Sequence, residues 1–143
     1  MRRTGVRGTA AAVACLFIAS ATASGQSTAT LAAQLSQGRV VLREVRFAPG
    51  SDRINQSSAI VLRELARALV ADAGVFLIEG HTDAAHDAAS AQLLSEQRAV
   101  AVKAWLVSEG VAAGRLLAVG YGASRPARPD GRRNARIEVT RVQ

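Results

Sequence analysis

Between Glu79 and Ala99 the chain reads "EGHTDAAHDAASAQLLSEQRA", setting His81, Asp83, His86 and Asp87 within seven residues and following them with Arg98. Side chains of these types at this density offer a metal site, an acid/base site, or a pair of opposite charges able to grip a ligand that carries both signs. A catalytic zinc needs about three protein ligands plus an open position. His81 and His86 are the only histidines in the chain. A metal-dependent hydrolase using His81, Asp83 and His86 would therefore draw its further ligands from carboxylates and would still lack a separate base or nucleophile. The plain alternative is that His86 and Asp87 solvate a loop. Acid/base work by Asp83 and Asp87 has no neighbour that would raise one carboxyl above the other, and the chain contains no Gly-x-Ser-x-Gly elbow and no catalytic cysteine. No cofactor is called for, and an enzyme is not the expectation.

The arginine is more informative. At about 100° per residue, with Leu94 as zero, Trp105 falls near ~20°, Arg98 near ~40°, Val102 near ~80°, Leu106 near ~120° and Ala99 near ~140°. Arg98 is thus expected inside the apolar arc of its helix, away from the wet face of Gln97 and Lys103. A guanidinium there costs several kcal/mol unless it is paired or opens onto a polar cleft. Asp83 is the natural acidic partner. Spacing leaves two outcomes open: a structural ion pair, or a cleft in which Asp83 takes an ammonium and the planar fork of Arg98 takes a carboxylate.

Several elements must position these two residues. "RVVLREVRF" (Arg39 to Phe47) reads as a strand with Val41, Val45 and Phe47 on one parity, ending at the turn-forming "APGSD". Ser57 or Ser58 can cap a helix whose Leu62, Leu65, Ala66 and Leu69 face inward and whose Arg63, Arg67 and Asp72 face water, with Gly74 as its stop. "VFLIE" (Val75 to Glu79) is a short strand delivering the chain to Gly80, and a helix follows from about Ala88 to Glu109, stopped by Gly110. "RLLAVGYG" (Arg115 to Gly122) and "ARIEVTRV" (Ala135 to Val142) are the last strands, separated by the exposed loop "ASRPARPDGRRN". The order β-α-β-α-β-β predicts a single-domain α/β sandwich with its helices on one face of a mixed sheet.

Ahead of this, residues 1–25 carry Arg2, Arg3 and Arg7 before the apolar run "TAAAVACLFIASATASG", which reads as a secretory signal with small-residue cleavage sites at Ala21-Thr22-Ala23 or Ala23-Ser24-Gly25. The run is shorter than the roughly 18 residues of a membrane span. Cys15 is poorly placed for lipid attachment, because Ala12 stands where a leucine-like residue is wanted. The mature chain is expected to begin between Thr22 and Ser27, with residues 26–38 a short leader or a frayed first helix and no transmembrane span. Losing the three arginines leaves 15 of 18 basic residues against 11 acidic, a formal +4 in place of +7. That balance suits a polyanionic surface without implying nucleic acid, and three Phe, one Tyr and one Trp are too scattered to stack bases.

From Val41 to Val142 the sequence resembles the OmpA-like peptidoglycan-binding domain family. The resemblance rests, in order, on "RFAPGSDRI", "IEGHTD", "LLSEQRAVAVKAWLVSEGV", "GYGASRP" and "NARIEV". It implies an OmpA-like domain over residues 39–143, located in the periplasm or cell envelope, with the outer membrane as one possible site. It also implies non-catalytic binding of the diaminopimelate in the peptidoglycan stem peptide, with other envelope proteins as further partners. Asp83 and Arg98 match the family pair that holds the ligand's amino and carboxylate groups. Phe47, Ala48 and Pro49 match the loop contributing backbone, Thr82 stands beside the aspartate, and Arg136 matches a supporting arginine. Three positions depart from the pattern: Ala91 stands where a ligand-facing asparagine is usual, Ala135 where the terminal motif has its first arginine, and His86 where a loop glycine is common. A domain that keeps the fold but has drifted to a protein-binding or structural role is the alternative.

Overall fold

The computed structural model describes residues 26–84, 87–130 and 133–142. The expected signal with Cys15, and His86, lie outside the described residues. Four strands form one sheet in the order β1-β4-β2-β3: β1 (Arg39–Leu42), β2 (Val75–His81), β3 (Leu116–Gly120) and β4 (Arg136–Val142). β4 runs antiparallel to both β1 and β2, while β2 and β3 are parallel. Helices α1 (Thr28–Ser36), α2 (Ala59–Ala71) and α3 (Ala88–Ser108) share one core with the strand residues Val40, Leu42, Phe76, Ile78, Leu116, Ile137 and Val139. The expected α/β architecture, with helices on one face of a mixed sheet, is the one observed.

Strand alternation decides which side chains reach that core. On β2, Phe76 and Ile78 are buried against the helices, while Glu79 and His81 point to the opposite face of the sheet. α2 buries Leu62, Leu65, Ala66 and Leu69 at helical spacing, as its sequence predicts. α3 buries Ala91, Ser95, Ala99, Val102 and Leu106, a stripe that begins with small residues and ends with large ones. The small end lets the helix lie directly on the sheet. A Cβ added at Gly80 would sit 2.1 Å from the Ser95 carbonyl oxygen, and one at Gly120 would sit 2.3 Å from the Glu96 nitrogen. These two glycines seat α3 against the C-terminal ends of β2 and β3.

Several local expectations are corrected. The first strand ends at Leu42, with Val40 and Leu42 facing the core, because β4 pairs with only four residues before the chain turns away. Phe47 makes an isolated bridge with Ile54 instead. Ser58 does not cap α2: it is buried, and its Oγ accepts the Arg46 N–H at 2.7 Å, pinning the bend after β1. α2 ends at Ala71 because Asp72 is extended; Gly74 follows and donates its N–H to the Asp72 carboxylate at 2.7 Å. Asp72 also pairs with Arg141 at 2.6 Å. β2 runs two residues further than expected, to His81, and Arg115 precedes β3 in a 3₁₀ turn. Residues 28–36 are no frayed leader. They form a helix capped by Ser27, and Leu31 and Leu35 are fully buried, so the folded unit starts before Arg39.

Candidate functional site

Asp83 follows β2 by two residues, and its direction is set from across the chain. The backbone N–H groups of Asn134 and Ala135 both donate to its Oδ1, the second at 3.2 Å. Asn134 is in turn immobilised: its Nδ2 donates to the Thr82 carbonyl at 2.7 Å, and its Oδ1 accepts from the Ala127 N–H at 2.9 Å and from Arg136. Among the described residues Oδ2 of Asp83 has no partner. The carboxylate is exposed and lines a cleft of about 490 Å³ with Arg43, Arg46, Arg133 and Ala135.

Arg98 is half-buried at the edge of the inward stripe of α3, close to where the helical wheel places it. Its Nε donates to the Ser51 carbonyl at 2.9 Å, and its guanidinium lies 4.8 Å from the centre of the Phe47 ring. Burial lowers its pKa from the ordinary arginine value, while the negative charges of Asp83 and Asp52 act the other way. The two charges therefore feel each other. They do not touch: no ion pair of 4.0 Å or less joins them, so of the two arrangements open from spacing the structural ion pair is not the one formed. Both nitrogens at the tip of the Arg98 fork are without a hydrogen-bond partner among the described residues.

The other expected residues fall into two groups. Phe47 and Ala48 are partly exposed and Pro49 is exposed; the Ala48 N–H is bonded to the Arg53 carbonyl at 2.9 Å, which closes the loop over Arg98. Thr82, Ala91 and Arg136 are buried. Thr82 donates its N–H to the Gly122 carbonyl at 3.0 Å, and its own carbonyl holds Asn134. Ala91 packs beneath Gly122 and offers no polar side-chain atom. Arg136 bonds Glu138, both oxygens of Asn134 and the Arg125 carbonyl, which makes it a support two steps behind Asp83.

Asp87 and His81 are placed apart from Asp83 and Arg98. Asp87 caps α3, accepting from the Ala89 and Ser90 N–H groups and, at 2.6 Å, from the Ser90 hydroxyl; the Ser90 bonds keep its carboxyl below the usual aspartate range. An aspartate directly before "AASA" is a readable cap signal that loop solvation overlooked. His81 stacks on Tyr121 and lines a different cavity from Asp83, with Glu79 and Glu138. Burial, then the charge of Arg136, lowers its pKa to about 4. Among the described residues no group of three or more His, Cys, Asp and Glu could hold a metal.

Sequence reasoning also passed over Ser95 and Asn134 as individual positions. Ser95 is fully buried; its Oγ accepts the Gly122 N–H at 2.8 Å and donates to the Gln92 carbonyl at 2.8 Å. It thereby fastens "GYG" to the helix that carries Arg98.

A small mixed sheet with an acidic loop after β2 facing an arginine on the following helix defines an OmpA-like domain. Residues 46–140 match the OmpA family, and the chain belongs to this family of OmpA-like peptidoglycan-binding domains. It is 38% identical over 100 residues to the outer-membrane lipoprotein YfiB of Pseudomonas aeruginosa, covering 69% of this chain and 60% of YfiB. It is 48% identical over 67 residues to outer membrane porin F of the same organism, covering 46% of this chain and 19% of the porin. The chain thus spans less than two thirds of YfiB and about a fifth of the porin. Among solved structures, a putative MotB-like protein from Desulfovibrio vulgaris superposes with a TM-score of 0.61 at 27% identity, over 72% of this chain and 70% of that one.

Proposed function

We infer that the domain binds peptidoglycan through the diaminopimelate of its stem peptide, without cleaving it, Asp83 taking the ammonium and Arg98 the carboxylate. One observation carries this reading: two opposite charges, each held by backbone groups, lie near enough for Asp83 to act on Arg98, yet they form no ion pair. Among the described residues nothing occupies Oδ2 of Asp83 or the tip of the Arg98 fork, which leaves both for a ligand bearing both signs. Charge-assisted contacts of this kind are the strong ones, and a planar fork fits a carboxylate. The Phe47 to Pro49 loop contributes the wall behind Arg98. The departure at Ala135 leaves Asp83 unaffected, because residue 135 acts on it through its N–H.

The role proposed for the protein is to anchor or position something at the cell wall after export, by way of a signal over residues 1–25. Its envelope relatives support that location. Ala91 supports a second reading, since a buried alanine supplies no hydrogen bond where the family pattern has an asparagine. A domain drifted to protein binding would keep the fold and lose the wall.

Co-sedimentation with purified sacculi separates the two. Diaminopimelate-type sacculi should pull down the parent, and Asp83→Ala and Arg98→Ala should each abolish the pellet while keeping the parent's circular dichroism. Lysine-type sacculi lack the carboxylate and should bind poorly. A parent that ignores sacculi, or folded variants that pellet like it, would replace this reading with the drifted-domain one.

A further inference from the structure

The outward side of α3 carries apolar residues that none of the described residues covers. Leu93, Val100 and Val107 are 57%, 51% and 37% exposed and follow one another at intervals of seven residues along a single helix. Ala104 lies between the last two. Two shallow apolar grooves meet along this line, sharing Val100 and Ala104, and the larger, of about 620 Å³, is closed on its far side by Leu117 of the edge strand β3. A seven-residue apolar repeat is the spacing with which one helix packs along another, and contiguous exposed apolar surface marks an interaction site.

The arrangement is also symmetric about its own middle. A two-fold axis through Val100, perpendicular to the helix, sets Val100 against its copy, Leu93 against Val107, and Glu96 against Ala104, one residue from Lys103. Glu96 and Lys103 lie on the same flank of the stripe by helical angle, and in an antiparallel helix pair equal flanks meet. Each Glu96 therefore comes beside the Lys103 of the other copy, twice per pair. A surface whose apolar positions and charges each meet their complement in a second copy satisfies what a closed two-fold interface requires. Arg98, on the opposite side of α3, stays clear of it.

We propose that this face pairs with a second copy of the same chain, α3 against α3 in antiparallel orientation and centred on Val100. The test uses the full chain purified from the envelope, in sedimentation velocity over a range of concentrations. The parent should pass from monomer to dimer, and V100R should remain monomeric with an unchanged circular dichroism spectrum. E96K and K103E should each weaken the dimer by tenfold or more, and the double exchange E96K/K103E should restore it. Under oxidation V100C should give a disulfide-linked dimer, whereas V70C, on the exposed side of α2, should not. A parent that is monomeric throughout, a dimer indifferent to V100R, a double exchange that fails to rescue, or V70C linking as readily as V100C would overturn the proposal.

Discussion

The guanidinium of Arg98 lies 4.8 Å from the centre of the Phe47 ring, so this half-buried cation is braced by the loop that follows the first strand. Its Nε bond to Ser51 adds a second tie to that loop and fixes the plane of the fork.

Arg98→Lys should show what that plane is worth. Lysine keeps the charge but has no fork and no Nε–H for Ser51. Wall affinity should fall by tenfold or more, about 1.4 kcal/mol, while Arg98→Ala should lose about 2 to 5 kcal/mol. Sedimentation isotherms with diaminopimelate-type sacculi check both.

Asn134→Ala should weaken the wall site without touching Asp83. Removing a buried amide strands the Thr82 carbonyl, the Ala127 N–H and part of Arg136, at about 1 to 3 kcal/mol for each group left unsatisfied. Urea unfolding should report the destabilisation, and binding measured below the unfolding midpoint should fall as Asp83 loses its fixed direction.

Much of this site was legible because it depends on side-chain identity. Asp83 and Arg98 stand out by type and spacing, and α3 announces itself by its periodicity and by Gly110. What could not be read depends on the backbone. The groups that hold Asp83 are N–H groups from residues 134 and 135, which any amino acid but proline would supply. Ser51 likewise acts through its carbonyl. The end of β1 was illegible for another reason: "VVLREVRF" keeps its β-branched character past Leu42, whereas the strand stops where its pairing with β4 stops and the chain bends toward the Arg46 tie to Ser58. α1 was obscured by its polar composition, since only two leucines mark its buried side.

Leu35→Ala should cost about 2 to 5 kcal/mol, as for a fully buried leucine in a core. Chemical denaturation would show it as a lower midpoint. A change below about 0.5 kcal/mol would mean that α1 is an appendage to the domain.

Gly120→Ala and Gly114→Ala make a matched pair. A methyl at 120 would press on the backbone of Glu96 and lift α3 from the sheet, whereas one at 114 meets nothing within 4 Å. Thermal melts should show a large loss for the first and little change for the second.

His81 should make the fold acid-sensitive. The unfolded chain takes up a proton as pH falls through about 6.5, the folded one only near 4, so stability present above pH 6.5 is lost between those values. The loss should be on the order of 3 kcal/mol. His81→Gln should flatten that part of the stability profile measured by urea unfolding.

β4 lies between β1 and β2 in the sheet, yet it is the last strand in sequence. Neither β1 nor β2 has its shared neighbour until residues 136–142 are available, and the Asn134 and Ala135 groups that aim Asp83 arrive only with them. A nascent chain still missing this segment lacks the centre of its sheet, so assembly must wait for the C-terminal stretch and then close over long separations, which slows folding. The stretch from Asn134 onward thus both times the fold and brings the groups that aim Asp83, so a chain that has not finished folding has no fixed carboxylate at that position.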